Sequence, residues 1–203
     1  MSVITTILFD NDGVLVDTEM GLFESNREIL RQMGGDYELK DYQHHQLETN
    51  KGSSWFMKQN QCSKKEIEVF KQRRNRLWQK RMKKQDFIIS EGLSVLESLQ
   101  DSYRLGLVTS NSKEFYEIAH RNSDMLELFD VVIDRDICRV IKPDPAAYLM
   151  AMNRLGVVSD ECLVVEDSPR GIAAGKAAGC GVVAVRNECI DGLDISMTDF
   201  VID

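Results

Sequence analysis

From Glu91 onward, short β-branched apolar runs alternate with stretches of helical spacing, and this alternation is the strongest constraint on what the chain can fold into. Strands are expected at Arg104–Val108, Val131–Ile133, Cys162–Val165 and Gly181–Val185. Helices are expected between them at Glu91–Leu99, Lys113–Arg121, Pro145–Leu155 and Ile172–Ala178. A chain that passes repeatedly from strand to helix to strand builds a mainly parallel sheet with helices on both faces, the α/β class. Residues 3–9, Val-Ile-Thr-Thr-Ile-Leu-Phe, predict one more buried strand, ending at Asp10 and a glycine-containing turn. Between about Thr18 and Lys84 no convincing strand is found. Leu22, Phe23, Ile29, Leu30 and Met33 lie on one helical stripe before a Gly34-Gly35 stop, and further apolar sets gather Trp55, Phe56 and Met57, then Ile67, Phe70, Leu77 and Trp78. A helical block of roughly 70 residues is thus inserted after the first strand of the sheet.

Composition narrows the function classes. The 203 residues carry 33 acids against 25 lysines and arginines, a net charge of −8, which disfavours a general affinity for nucleic acid or anionic membrane. Ten of the basic residues fall between Lys64 and Lys84 beside only Glu66 and Glu68. Such a run is more often a solvated helix face than an attractor of anionic substrate. No apolar run approaches the roughly 20 residues of a membrane span, and Met1-Ser2-Val3-Ile4 has no features of an export signal. The five cysteines are scattered without a C-x-x-C pair, as expected of reduced thiols, so the expectation is a cytoplasmic protein.

In open α/β sheets, sites form beyond the carboxyl ends of the strands. The first strand ends in Asp10-Asn11-Asp12-Gly13, where the glycine permits the bend that brings two carboxylates to one side; on its own this pair also reads as a turn cap. The second ends in Thr109-Ser110-Asn111-Ser112, a set of donors suited to an oxyanion and also ordinary helix-cap chemistry. Lys142-Pro143-Asp144-Pro145 delivers a cation on a stiffened approach, and the apolar run 163–165 ends in Glu166-Asp167-Ser168. Four carboxylates converging on one crevice would repel one another, and a divalent cation resolves that repulsion. Oxygen ligands with incomplete protein coordination favour Mg²⁺ gripping a substrate phosphate. An Asp carboxylate can attack phosphorus, while Lys142 and the Thr109–Asn111 donors neutralise the transferring group.

These residues resemble the haloacid dehalogenase-like superfamily, in its phosphatase and β-phosphoglucomutase-like branch. Ile7 to Glu19 is similar to the family's first motif, Thr109 to the second, Lys142-Pro143 to the third, and Val165-Glu166-Asp167-Ser168 with Gly171 to the fourth. The resemblance implies a Rossmann-like core of residues 1–15 and 89–203 with an inserted helical cap at residues 16–88. It further implies Asp10 as nucleophile and Asp12 as general acid and base. Mg²⁺ would be held by Asp10, the Asp12 backbone carbonyl and Asp167, with Glu166 as ligand or supporting residue, and Thr109, Ser110, Asn111 and Lys142 would bind the phosphoryl group. The family's dehalogenases lack the second aspartate, so Asp12 points to phosphoryl transfer.

The mutase branch carries a cap histidine and a cap arginine. Here Met20, Gly21 and Leu22, and Ser53, Ser54 and Trp55, occupy the corresponding places, so hydrolysis is favoured over mutase activity. Lys51 resembles the Schiff-base lysine of phosphonate-cleaving relatives only weakly, and a non-catalytic binding protein is disfavoured because every motif residue is chemically competent. Lys51, Gly52, Ser53 and Trp55 are candidate substrate-contacting residues of the cap. His44, His45 and His120 form no metal set and receive no role. The expectation is a monomeric, Mg²⁺-dependent phosphatase of a small phosphorylated metabolite.

Overall fold

The computed structural model describes residues 3–49 and 51–202; Met1, Ser2, Asn50 and Asp203, at the ends and within the expected core and cap segments, lie outside the described residues. Strand β1 (Thr6–Phe9) is buried along its whole length, as its apolar, β-branched sequence demands. It is joined by β2 (Arg104–Val108), β3 (Val131–Ile133), β4 (Cys162–Glu166), β5 (Gly181–Val185) and β6 (Phe200–Ile202). All neighbours pair parallel, in the order β3-β2-β1-β4-β5-β6. The chain runs outward from β1 through β2 to β3, then returns to the other side of β1. The order therefore reverses beside β1, and the crevice at that switch opens beyond the carboxyl ends of β1, β2 and β4.

Helices α5 (Ser90–Leu99), α6 (Lys113–Ala119), α7 (Ala146–Leu155) and α8 (Pro169–Ala177) connect the strands. Leu96 and Tyr116 pack with Ile7, Phe9, Leu105 and Leu107 in one apolar cluster, while Tyr148, Ala151 and Ile172 pack with Leu8, Val164 and Val182 in another. The sheet is thus covered on both faces, the expected arrangement. Sequence boundaries shift by a few residues: α8 begins at Pro169, three residues early, because Ser168 caps it by accepting from the Gly171 N–H at 3.2 Å. Strand β6 has no counterpart in the sequence reading. It is three exposed residues long on a sheet edge, too short for a period-2 pattern to register.

Between β1 and α5 the chain is helical: α1 (Glu19–Gln32), α2 (Leu39–Tyr42), a π-turn at Gln43–Glu48, α3 (Ser53–Gln59) and α4 (Lys64–Met82). The chain leaves and re-enters the sheet side by side, with a Val16–Ile88 antiparallel bridge flanked by Asp17 N–H to Phe87 O at 2.8 Å and Ile89 N–H to Leu15 O at 3.0 Å. Phe23, Leu30, Tyr37, Tyr42, Met57 and Phe70 of the insertion form an apolar cluster that Cys189 and Ile190 from the segment after β5 join. Helix α4, which carries the basic run, starts with a Ser63–Glu66 capping box and buries only Ile67, Phe70, Trp78 and Met82, so most of its charges face solvent. No helix among the described residues is long and apolar enough to cross a membrane.

Helix α1 meets α4 where Gly21 faces Trp78. A Cβ at Gly21 would lie 2.6 Å from the Trp78 ring. Gly21→Ala gains about 1 kcal/mol of helix propensity but forces a buried indole to move, which costs about 1–3 kcal/mol. Thermal unfolding of the variant is expected to show net destabilisation; a raised midpoint would mean that the α1–α4 seam is looser than described.

Candidate active site

Asp10 follows β1 directly, and its N–H donates to Val165 O at 2.8 Å, so the β1–β4 pairing carries on to the carboxylate itself. The chain then turns sharply: Asn11 O accepts from Leu15 and Val16 N–H at 2.9 and 3.1 Å, and Gly13 sits at φ +76°. This position admits only glycine. A Cβ there would fall 1.9 Å from Asp167 Oδ2, and the left-handed backbone disfavours any L side chain.

Lys142 is 2% exposed, and its ammonium is shared among Asp10 Oδ1 at 2.7 Å, Glu166 Oε1 at 2.6 Å and Val108 O at 2.8 Å. Burial by itself would depress the Lys142 pKa, but Asp10 and Glu166 override it and hold the lysine above its ordinary value. Glu166 is fully committed. Its Oε1 also accepts from Tyr148 OH at 2.7 Å, and its Oε2 receives Asp167 N–H, Ser168 N–H and Ser168 Oγ at 3.2–3.4 Å. Burial pushes Glu166 up, and Lys142 brings it below the ordinary glutamate value. Helix α8 reaches this carboxylate because residue 171 is glycine; a Cβ there would lie 2.0 Å from it.

Asp10, Glu166 and Asp167 offer oxygens within 4.8 Å of one another, all buried. Lys142 contacts two of the three. Asp167 is held by Asn187 Nδ2 at 2.9 Å and has no cationic partner among the described residues. Burial, then the charges of Glu19 and Asp10, pushes the Asp167 pKa well above the aspartate range, and burial, then Glu166, raises Asp10 to about 7. Such a donor set, all oxygen and short of positive charge, fits a hard divalent cation.

Asp12 has other partners. Its Oδ1 accepts from Thr18 Oγ1 at 2.6 Å and its Oδ2 from Asn111 Nδ2 at 2.8 Å, with Thr109 Oγ1 at 3.5 Å. The Asp12 carboxylate is not part of the three-acid cluster. A cavity of about 80 Å³ lies over these groups, lined by Asp10, Asp12, Ser110, Asn111 and Asp167 from the sheet side. From the helical insertion it is closed by Glu19, Leu22, Gln46 and Leu47.

Lys51, Gly52, Ser53 and Trp55 do not line this cavity. Lys51 Nζ lies 4.9 Å over the Trp55 ring, Ser53 Oγ donates to Asn26 Oδ1 at 2.8 Å, and Gly52 packs beside the Gln46 side chain. The insertion reaches the cavity instead through Glu19 and Leu22 of α1 and through Gln46 and Leu47 of the π-turn, two residues that the sequence did not single out. Asn50, at the head of the Lys51–Trp55 loop, lies outside the described residues.

Comparison with known proteins gives these positions their context. The model of the family described as haloacid dehalogenase-like hydrolase matches residues 7–185. A phosphorylated carbohydrates phosphatase of Thermotoga maritima is 30% identical over 190 residues, 90% of this chain and 87% of that protein. The chain belongs to the haloacid dehalogenase-like hydrolases. The expected enzyme class, a phosphoric monoester hydrolase, accords with that membership and with this relative. The fold is shared with CbbY of Rhodobacter sphaeroides in complex with phosphate, at a TM-score of 0.82 and 20% identity, covering 99% of this chain and 94% of that one. It is shared equally with a β-phosphoglucomutase of Clostridium difficile, at a TM-score of 0.82 and 22% identity, covering 99% and 91%.

Several residues that organise this hydrolase's site escaped the sequence reading. Tyr148 and Asn187 carry no motif signal, being single polar residues in ordinary helix and loop sequence. Glu19, inside the quoted first motif, is buried, accepts a short hydrogen bond from Tyr42 OH, and is pushed up to about 7 by burial and then by Asp12. His120, at the end of α6, places Nε2 2.7 Å from Asn11 Oδ1, while Asn11 Nδ2 lies 3.3 Å from Asp12 Oδ2. His120, which received no role from the sequence, thus reaches the site through Asn11. Since Asn11 Oδ1 accepts, the proton sits on Nε2. Burial holds the His120 pKa down at about 4, so the imidazole is neutral. The unfolded chain takes up this proton near pH 6.5 and the folded one near pH 4, so the stability stored in neutral His120 is present above pH 6.5 and lost as pH falls toward 4. The stability difference between wild type and His120→Gln is expected to shrink by about 2–3 kcal/mol between pH 7 and pH 4, measured by urea unfolding. A difference that does not change with pH would contradict the buried neutral histidine.

Proposed function

We propose that this chain is a Mg²⁺-dependent phosphatase of small phosphorylated metabolites, sugar phosphates among them, acting through an aspartyl-phosphate on Asp10. The observation that carries this reading is the Asp10 carboxylate: one oxygen is held by Lys142 at 2.7 Å, and the side chain lines a cavity shared with Asp12, Ser110 and Asn111. Asp10 attacks phosphorus, the bond to the ester oxygen breaks, and Asp12 gives its proton to the leaving alcohol. Asp12, now a carboxylate, takes a proton from water as that water attacks the phosphorus. The bond to Asp10 breaks, and inorganic phosphate leaves.

Thr18 and Asn111 orient the Asp12 carboxylate through both of these proton transfers. Lys142, Ser110 and Asn111, with the Thr109 hydroxyl behind them, face the non-bridging oxygens, where positive charge and N–H dipoles count most as charge redistributes. Asp10, Asp167 and the Asp12 carbonyl would hold Mg²⁺, with Glu166 bracing Lys142 and the Asp167 loop from behind, since both its oxygens are occupied. When bound, the ion neutralises phosphate charge and fixes the ester against Asp10. The phosphatase relative from Thermotoga maritima supports hydrolysis over isomerisation. So do the insertion residues at the cavity, Glu19, Leu22, Gln46 and Leu47, which include no basic group to activate a second sugar hydroxyl. Residues 16–88 act in this proposal as the cap that excludes bulk water.

Asp10→Asn is expected to abolish phosphate release from a phosphomonoester while leaving the circular dichroism spectrum unchanged, and near-normal turnover would sink the assignment. Asp12→Ala should lose about 10²–10⁴-fold in kcat. EDTA should remove activity and added Mg²⁺ restore it; turnover that survives exhaustive chelation contradicts the metal part of the reading.

A further inference from the structure

Arg135 lines the active-site cavity from the loop after β3, where its N–H is tied to Asn111 O at 3.0 Å. Both acids beside it are occupied elsewhere. Asp134 accepts the N–H groups of Asp136 and Ile137 at 2.9 Å, and Asp136 accepts the Lys113 N–H at 3.1 Å. The Arg135 guanidinium makes no hydrogen bond or ion pair among the described residues.

A second arginine stands near it on the other side of the seam. Arg74, in the basic α4 run, turns inward. Its guanidinium donates to Asn75 Oδ1 at 2.7 Å and to Asn26 Oδ1 at 3.0 Å, lies 5.8 Å from the Phe70 ring centroid, and meets no carboxylate among the described residues. Asn26 continues the α1 face of Glu19 and Leu22, both cavity residues, by one further turn. Burial lowers the Arg74 pKa, Tyr42 and Tyr37 oppose that, and the Arg135 charge adds a smaller lowering, so the two guanidiniums feel each other's charge. Two arginines with no ion pair among the described residues, one of them lining a phosphate-sized cavity, make an arrangement that an anion completes.

We propose that Arg135, backed by Arg74, forms a second anion subsite that selects short phosphate esters bearing another anionic group, a carboxylate or a second phosphate, over esters of neutral alcohols. This rests on the phosphatase reading of the same site. The cavity volume sets the length: at the roughly 10–15 Å³ that one water-sized group occupies, about 80 Å³ holds about six such groups. A phosphoryl group takes most of them, leaving a tail of two or three atoms to reach Arg135.

Three esters on one two-carbon skeleton test this: 2-hydroxyethyl phosphate, 2-phosphoglycolate and ethane-1,2-diol bisphosphate, each assayed for phosphate release with Mg²⁺ present. In the wild type, kcat/KM for at least one of the anionic esters should exceed that of the hydroxyl ester by about tenfold or more. Which one does so tells carboxylate from phosphate. In Arg135→Ala that ratio should fall toward one, Arg135→Lys should keep part of it, and the loss should lie in KM more than in kcat. A wild-type ratio within about twofold of one, or an undiminished ratio in Arg135→Ala, overturns the subsite. No phosphate release from these esters or from p-nitrophenyl phosphate would instead overturn the phosphatase reading beneath it.

Discussion

One buried ammonium facing more negative charge than it can balance governs the rest of this structure. At 4 Å and an effective dielectric of about 20, a pair of unit charges interacts by about 4 kcal/mol, while removing each ion from water costs several kcal/mol. Lys142 meets that cost for itself through Asp10, Glu166 and the Val108 carbonyl. Asp167 is left buried among like charges, its pKa driven up. A site that concentrates unbalanced carboxylates at the end of a sheet is not a stable salt bridge but a receptor for further positive charge. That is the physical ground of the proposed metal-assisted transfer of an anionic group.

The surrounding sequence is shaped to bring the acids this close. Gly13 and Gly171 are the two positions where a methyl group would strike a site carboxylate, Asp167 and Glu166 respectively. The parallel register sets Phe9 beside Leu107 and Val165, so the residues after these strands emerge at one level. Asp12 is separated from the cluster by its own set of neutral donors, Thr18 and Asn111, and Asn11 is pinned in turn by His120. Two aspartates two residues apart thereby receive different electrostatic surroundings, which is what distinct nucleophilic and acid–base duties require.

Much of the core was legible because strand and helix periodicities differ and because each strand that reaches the crevice ends in a chemically marked cluster. Asp10, Thr109, Lys142 and Asp167 could be assigned to one crevice from strand ends alone, since parallel sheets leave little freedom at that edge. The insertion was harder. Helical spacing identifies an apolar face but not which turn of it overlooks the sheet, so Lys51–Trp55 was singled out and the π-turn that supplies Gln46 and Leu47 was not. The basic run of α4 was sound as a solvated face in general; what it concealed was Arg74, whose inward orientation depends on the α1–α4 contact and on Asn26. Partners such as Tyr148 and Asn187 are single residues whose importance comes entirely from what lies opposite them in space.

The account turns on carboxylates that lack a cation, and the thermal midpoint of unfolding measured as Mg²⁺ is titrated tests this most directly. A ligand that binds only the folded state raises stability by RT ln(1 + [L]/Kd). The wild type should gain steadily once Mg²⁺ exceeds its dissociation constant, and Asp167→Asn should lose most of that response. A wild-type midpoint that does not move with Mg²⁺, or a variant that responds as fully as the wild type, would contradict the central claim.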